Sequence, residues 1–420
     1  MPKVSLQCYT ELRPIVRIAV HYTVVNAHYK KQLEKNIVKY SWYQIFTKRV
    51  YLPLIAIQLV DEGQVTVAQL AIIAVVASVV QLVLQMPSGY IADKFGNKVA
   101  IVTGASIAAT APLFYVFMPN FWGGLLAAVL FFGGIAFQSG AKEAFMHDTL
   151  TALKKDRLYA KIMGRAQSYG LVGNVILLAL VPATYSINKN LPFLIGFICS
   201  VVMLAIALRF TYPKNHVKPQ HKMSPIHATK SIVTLQNLAL FLFAGFVAGI
   251  VHKVNGFSEL LLQDVGVAVA LFGVLLAVSS LVGAVMGLFT GALIKLKPLA
   301  FYVLDLAFVT SCLLALSTKY IPVVVGGYIL YYAYSRVRHI MFQAYLLQQI
   351  NHRYKATLLS ALGVFNLFGE IFAVVVLAKL ISIYDYSIGF RYFALYTFVV
   401  GMALIGLIVL ESKRPSKMHG

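Results

Sequence analysis

Apolar residues in this sequence fall into twelve long runs, separated by short segments that carry charges, glycines and prolines. Each run is close to the length of about 20 residues that an α-helix needs to cross a bilayer. The runs are 41–60, 66–88, 99–118, 122–145, 164–185, 191–211, 236–261, 267–291, 298–317, 320–343, 356–380 and 389–410. The pattern therefore predicts an all-α integral membrane protein with twelve spans, numbered here in chain order.

Composition supports this prediction, because 60% of the 420 residues are hydrophobic and only 12% are charged. A soluble domain carries about 25% charged residues. Arg13, Arg17 and His21 interrupt the only stretch that could be a secretory signal. The three cysteines form no CxxC or Cys/His pattern, so we expect neither a disulfide framework nor a bound metal or other cofactor.

The net charge of +22 is distributed unevenly between the two sides of the predicted bundle. Of the 36 lysines and arginines, 29 fall on the side that holds both termini and four on the opposite side. The remaining three, Lys48, Arg49 and Lys253, lie inside spans. The asymmetry predicts cytoplasmic termini in a multi-pass protein of the cell membrane. It also accounts for the basic charge without a nucleic-acid partner.

A polar segment divides the spans into six and six. The predicted organisation is a basic cytoplasmic extension (1–39), a six-helix bundle (40–211), a cytoplasmic linker (212–235), a second six-helix bundle (236–410) and a cytoplasmic tail (411–420). Two loops at corresponding places, beginning at Gly89 and Gly287, lie 198 positions apart. Such an internal repeat is typical of transporters built from two related halves.

The loop after span 2 carries the pattern Gly89-x-x-x-Asp93-Lys94-x-Gly96-x-Lys98. Gly89 allows a close approach of two helices, and Asp93 can face the positive N-terminal end of another helix. Together with the twelve spans and the linker, this motif resembles the major facilitator superfamily along residues 40 to 410. The resemblance implies two six-helix halves around a central cavity, with Asp93, span 11 and the loop lysines forming a cytoplasmic gate.

A second segment, around Glu143, Asp148 and Arg165, is similar to bacterial members of that superfamily described as permeases or efflux proteins. We expect Glu143 and Asp148 to pair with Arg165 or Lys161 as further gate residues. The chain lacks two features of the drug/proton antiporters. These are the intramembrane arginine of span 4 and the Gly-Pro-x-x-Gly-Gly element of span 5.

Polar side chains recur at helical spacing on five of the spans, which predicts faces turned toward a cavity. The candidate substrate and coupling residues are Lys48, Tyr51 and Gln58 on span 1, Gln81 and Gln85 on span 2, His252, Asn255 and Glu259 on span 7, Tyr328, Tyr331 and Tyr332 on span 10, and Asn366 and Glu370 on span 11. The resemblance implies that spans 1, 4, 7 and 10 line the cavity, with 2, 5, 8 and 11 beside it.

Glu370 is the favoured coupling residue, at a depth of about 22 Å from the inner surface. It could form a charge pair with Lys48, about 11 Å deep, or carry a proton itself. Lys48 could instead extend to the headgroups, as we expect of Arg49, while Lys253 could reach the outer surface.

Three other interpretations are structural. Glu259 could simply mark the outer end of span 7, and the span 10 tyrosines could be packing residues. Asp305 is interpreted as an isolated structural residue of span 9.

The predicted function is secondary active transport of a small organic solute by alternating access, with proton-coupled export favoured over other modes. An alternative is uptake of an anionic solute through a cavity made cationic by Lys48, His252 and Lys253. A different class, a membrane enzyme or lipid scramblase, would need a catalytic group, for which only His147 and Asp148 are adjacent candidates. The expected partners are the solute, H⁺ or another coupling ion, and the lipid bilayer, and the expected state is a monomer.

Overall fold

The computed structural model describes residues 28–213, 238–290, 295–349 and 355–412. All the regular structure in these residues is helical. Most of the predicted N-terminal extension, the linker from residue 214 and the tail from residue 413 lie outside the described residues.

Fifteen α-helices are described. They are α1 (28–45), α2 (Ile55–Asp61), α3 (Val67–Phe95), α4 (Asn97–Phe117), α5 (Phe121–Gln138), α6 (Ala141–Ala152), α7 (Tyr159–Leu180), α8 (Leu191–Leu208), α9 (Leu238–Lys253), α10 (Phe257–Asp264), α11 (Phe272–Leu288), α12 (Pro298–Leu316), α13 (Ile321–Gln349), α14 (Lys355–Ile383) and α15 (Tyr386–Ser412). Short 3₁₀ turns precede α2, α7 and α11, and another follows α7.

Nine helical segments of the described chain are long and apolar enough to cross a membrane. The number is ten if α9 and α10, which meet at a bend of 47°, form one span. The protein is therefore a multi-pass membrane protein. Twelve spans stay a prediction, because the nine or ten segments include neither α1 with α2 nor α13, which carries tyrosines and arginines. The cytoplasmic position of the termini also stays a prediction.

Span 1 differs from its prediction as one continuous helix. Residues 46–51 are not helical, so the span consists of α1 and α2 with an irregular segment between them. The predicted polar stripe of span 1 assumed unbroken helical spacing and does not form. Span 7 is interrupted as well, at 254–256, where Gly256 has a φ of +86° that favours glycine. Interrupted helices of this kind line the binding sites of many transporters.

Close packing of small residues fixes the helices that position the site. A Cβ placed on Gly249 of α9 would overlap the backbone of Gly369 in α14, and one placed on Gly369 would overlap the backbone of Gly245. In the N-terminal half, a Cβ on Gly104 of α4 would lie 2.5 Å from the Gly134 carbonyl of α5. Such backbone-to-backbone contacts are how helices associate in lipid, where burial of apolar side chains gives little driving force.

The halves meet through α3 with α14 and through α7 with α11. At the end predicted to be outside, Gln263 of α10 donates a hydrogen bond of 2.8 Å to Asp61 of α2. At the same interface a Cβ on Gly273 of α11 would overlap the Leu178 carbonyl of α7. These contacts leave a space between the halves deeper in the bundle.

Candidate functional site

A cavity of about 370 Å³ lies between the two halves. Its polar lining consists of Arg49, Gln81, His252, Lys253, Asn255, Glu259 and Glu370. Its apolar lining comes mainly from the N-terminal half and includes Leu52, Ile55, Ala56, Leu59, Leu70, Ile73, Ala74, Ala77, Ala128 and Phe132. Five of the thirteen predicted substrate and coupling residues line this cavity: Gln81, His252, Asn255, Glu259 and Glu370.

Glu370 is the centre of a polar cluster that joins the halves. Its carboxylate lies 3.3 Å from both Nδ1 of His252 and Nζ of Lys253. Ser78 of α3, in the other half, donates to the same carboxylate over 3.0 Å. The partners of Glu370 are thus on α9 and α3 rather than at Lys48. The expectation that Lys253 reaches the outer surface is wrong, because the ion pair turns it into the cavity.

Glu259 forms a second cluster, which contains no cation. Its side chain is 1% exposed and accepts hydrogen bonds from the Gly256 amide (2.5 Å) and the Ser258 hydroxyl (3.2 Å). Tyr332 and Tyr328 of α13 donate to its other oxygen over 2.6 and 3.1 Å. Within the described ranges, no lysine, arginine or histidine lies within 4.0 Å of this carboxyl. The interruption of span 7 creates this arrangement, since it leaves the Gly256 amide free for the side chain three residues later.

Arg49 enters the cavity from the irregular segment between α1 and α2. Its guanidinium carbon lies 4.2 Å from the ring centroid of Phe131 and 5.0 Å from that of Phe132. The expectation that Arg49 extends to the headgroups is therefore wrong. Lys48, the predicted cavity residue beside it, is exposed and does not line the cavity. Loss of helical geometry at 46–51 changes the direction in which each side chain points.

The other polar residues predicted for span 1 lie inside the N-terminal half. The ring of Tyr51 packs 5.3 Å from Phe193 and 5.9 Å from Tyr115. Gln58 is buried and donates to the Tyr115 carbonyl and the Asn190 side chain. Both residues contribute to packing of this half rather than to the cavity wall.

On the C-terminal side, Tyr331 donates to the Ile250 carbonyl over 2.5 Å and supports α9.

Asn255, which lines the cavity, and Asn366 each have a buried Oδ1 without a hydrogen-bond partner in the described part of the chain. The side chain of Gln85 lies outside the described residues.

The predicted gate motif lies at the opposite end of the bundle from the Asp61–Gln263 contact. Asp93 and Lys94 are exposed, and Lys98 is partly buried. A Cβ added to Gly89 would meet no described atom within 4 Å, so the expected close approach of two helices at Gly89 is not found in the described part of the chain. Gly96 has a φ of +95° and lies against Tyr212, where a Cβ would not fit. The side chains of 355–361, which the predicted contact between Asp93 and span 11 involves, lie outside the described residues.

The other predicted gate residues do not pair as expected. Asp148 accepts a hydrogen bond of 2.9 Å from Asn97, while Glu143 and Arg165 are exposed. Among the described residues no ion pair links Glu143 or Asp148 to Arg165 or Lys161. Asn97 lies inside the motif, so Asp148 still joins α6 to the loop after span 2.

Asp305 is not isolated, contrary to the sequence interpretation. Arg338 of α13 donates to both of its oxygens, over 2.8 and 2.7 Å, and Tyr334 donates over 2.5 Å. Both charged side chains are buried. The sequence analysis missed the pair because Arg338 counted as a residue of the cytoplasmic side. The available signal was that two opposite charges fall in neighbouring spans.

No group of three possible metal ligands occurs in the part of the chain that the structure describes.

Solved structures of transporters share this fold. The nucleoside transporter NupG aligns with a TM-score of 0.74 at 14% identity, covering 92% of this chain and 100% of its own. A bacterial homolog of the human lysosomal transporter Spinster, inward-facing and unoccupied, aligns with a TM-score of 0.67 at 16% identity over 92% and 97% of the two chains. The POT family transporter PepTSo gives 0.67 at 12% identity over 92% and 99%.

The comparison with curated protein sequences finds no match. The family model described as Major Facilitator Superfamily matches residues 41–366, which is more than three quarters of the chain. Family and neighbours both indicate a secondary transporter of a solute rather than an enzyme. By sequence and by fold, the chain belongs to the major facilitator superfamily.

Proposed function

We propose that this protein is a proton-coupled secondary active transporter that carries a small organic solute across the cell membrane by alternating access. The position of the cavity supports this, because a solute held there touches α2 and α3 of one half and α9 and α10 of the other. Movement of one half against the other then exposes the solute to either side in turn. A volume of about 370 Å³ suits a small organic molecule.

The observation that carries the coupling proposal is the environment of Glu259. This carboxyl lines the cavity within the bundle, and its donors are hydroxyls and one amide. Charged groups inside a membrane are costly unless they are paired or have a functional role. A cavity-facing carboxyl without a cation partner can bind and release a proton as the cavity changes its exposure.

Glu370, the favoured coupling residue at the sequence level, has a different environment. Lys253 and His252 lie within 3.3 Å of it, and Ser78 reaches it from the other half. The negative charge of Glu370 is paired with these basic side chains, and its hydrogen bond from Ser78 joins the two halves in a defined arrangement. We therefore assign proton carriage to Glu259 and contact between the halves to Glu370.

Export is the proposed direction, because the segment around Glu143 resembles efflux members of the superfamily. NupG is a nucleoside transporter by its description, yet at 14% identity the likeness concerns the fold. Nucleosides therefore enter the test as one solute class among several.

The test uses the full chain in proteoliposomes that contain a pH-sensitive dye. Organic acids, organic amines and nucleosides are added with and without an imposed pH gradient, from either side of the membrane. We expect transport of one class of solute to be accompanied by proton movement across the membrane. Glu259→Gln should abolish that proton movement. Glu62→Gln, which changes an exposed carboxylate paired with Lys189, is the matched control and should behave as the unchanged protein.

Two results would contradict the proposal. The first is solute movement without any proton movement. The second is proton movement that persists in Glu259→Gln, which would assign the proton path to another group.

A further inference from the structure

We infer that Arg49 binds the carboxylate of the transported solute, and that the substrates are small organic monocarboxylates. The inference rests on the proposed function, because it takes the cavity as the place where the solute binds. It is argued from the partners of two arginines within the same bundle, Arg49 and Arg338.

Arg338 is an example of a buried and fully paired arginine in this protein. Its guanidinium carbon lies 4.9 Å from the ring centroid of Phe342, and its nitrogens hold Asp305 through a two-pronged contact of 2.7 and 2.8 Å. The ring of Phe342 covers one face of the guanidinium, and the carboxylate of Asp305 accepts hydrogen bonds from its N–H groups. This is the geometry that a planar guanidinium and a planar carboxylate favour.

Arg49 has the aromatic contacts of that arrangement, but among the described residues it lacks the carboxylate. Phe131 and Phe132 lie against its guanidinium at 4.2 and 5.0 Å. Within the described ranges it has neither a side-chain hydrogen bond nor a carboxylate within 4.0 Å. Its side chain lines a cavity between the two halves of a transporter. A solute carboxylate would complete the site in the way that Asp305 completes the site of Arg338.

The other cation of the cavity is already compensated. Lys253 lies 5.4 Å from the ring centroid of Phe132, the same ring that Arg49 contacts, and its ammonium pairs with Glu370. The two cations are therefore no more than about 10 Å apart, on a shared aromatic wall. Arg49 is thus the one arginine or lysine of the cavity lining without a carboxylate partner in the described part of the chain. A single unpaired guanidinium favours a monoanion over a dianion.

Further cations lie near Arg49, outside the cavity lining. Lys48 interacts electrostatically with Lys142, Arg336 and Arg49, which come from both halves. Glu143 next to Lys142 is the acidic member of this group. A predominantly positive group of side chains raises the local concentration of anions near Arg49.

The remaining wall selects an organic anion over a mineral one. Around Arg49 the cavity presents the rings of Phe132 and Tyr115 and the aliphatic side chains of Leu52 and Ile55. Such a surface gains free energy by covering a hydrocarbon body and offers few groups to hydrate a small inorganic ion.

The experiment measures binding without any pH gradient. The melting temperature of the purified full chain in detergent is followed against increasing concentrations of butyrate, hexanoate, octanoate and benzoate, with the corresponding primary amides as uncharged partners of the same shape. We expect the carboxylates to raise the melting temperature at concentrations where the amides do not. Arg49→Lys should weaken binding at least about tenfold, because the ammonium cannot make the two-pronged contact. Arg49→Gln should abolish binding, and Arg157→Gln, which changes an exposed arginine, should have no effect.

A second measurement needs no ligand. Removal of an uncompensated cation should leave the melting temperature of Arg49→Gln equal or higher, whereas Arg338→Gln should lower it. The inference is overturned if no carboxylate acts more strongly than its amide, if Arg49→Gln binds as the unchanged protein does, or if its unliganded form melts as low as Arg338→Gln. These outcomes differ from failure of the proposed function, because proton movement with any solute class tests Glu259 independently of Arg49.

Discussion

Ser78 and Glu370 lie in different halves of the bundle and are joined by a hydrogen bond of 3.0 Å. The hydroxyl comes from α3, while the carboxylate belongs to α14 and is itself paired with two basic side chains of α9. Under the proposed alternating access, in which the halves move relative to each other, we expect this bond to break in each cycle. The bond links the position of α3 to the cluster formed by Glu370, His252 and Lys253 in the other half.

Ser78→Ala should therefore shift the balance between conformations. A hydrogen bond to a charged group contributes about 1.5–3 kcal/mol, so the arrangement described above should lose at least about tenfold in relative population. Spin labels at Ile187 and Leu271, exposed positions near the outer interface, report the separation of the halves. We expect a longer distance to gain population in Ser78→Ala. Ser106→Ala, whose hydroxyl bonds within α4, should keep the original distribution.

Tyr332→Phe should impair proton coupling. The hydroxyl of Tyr332 donates to Glu259 over 2.6 Å, and its loss leaves the carboxyl with fewer donors in a buried site. We expect about tenfold slower proton movement in the proteoliposome assay. Tyr331→Phe removes a hydroxyl that bonds the Ile250 carbonyl and should lower stability while leaving coupling intact. Equal losses of coupling in the two variants would contradict a specific role for Tyr332.

Asp305→Asn should destabilise the C-terminal half. Removing one member of a buried ion pair leaves the other charge uncompensated and costs about 3–5 kcal/mol. The free energy of unfolding, measured by denaturation in mixed micelles, should fall by about that amount. Asp385→Asn is the matched control, since its partner Lys319 is 3.9 Å away and largely exposed. Its effect should be below about 1 kcal/mol.

Gly369→Ala should disrupt the packing of α14 on α9. The added methyl group would overlap the backbone of Gly245, and backbone cannot move aside as a flexible side chain can. We expect a loss of at least about 2 kcal/mol in the free energy of unfolding. Gly363→Ala lies on the same helix with no atom within 4 Å of the added methyl group. It should be neutral or stabilise the protein by up to about 1 kcal/mol through helix propensity.

The polar residues of span 7 were found by their helical spacing, although the helix is interrupted at 254–256. His252, Asn255 and Glu259 form the clearest stripe in the sequence, and all three line the cavity. The same reasoning misplaced Lys48 and Arg49, because it assumed a continuous helix through residues 46–51. The available signal was Pro53, two residues beyond that segment, because a proline inside a helix clashes with the carbonyl four residues earlier, here that of Arg49.

Periodicity and charge placement along the chain were sufficient for the class of protein. Long apolar runs must become helices in lipid, since every backbone amide and carbonyl needs a partner within its own segment. This reasoning identified a multi-span membrane bundle, and the motif from Gly89 to Lys98 added the resemblance to the major facilitator superfamily. It placed Arg338, a buried arginine, on the cytoplasmic side. It identified Glu370 as important without identifying its partners.

Only the tertiary structure decided which charges meet. Glu370 pairs with His252 and Lys253 across 118 and 117 positions of sequence, and Arg338 pairs with Asp305 across 33. Arg49 contacts two aromatic rings and, among the residues with described positions, no carboxylate. A sequence fixes which side chains exist on each helix, but the rotation, bend and register of packed helices determine their distances. Because an ion pair depends on ångström-scale separation, compensation of each buried charge is a property of the packed bundle.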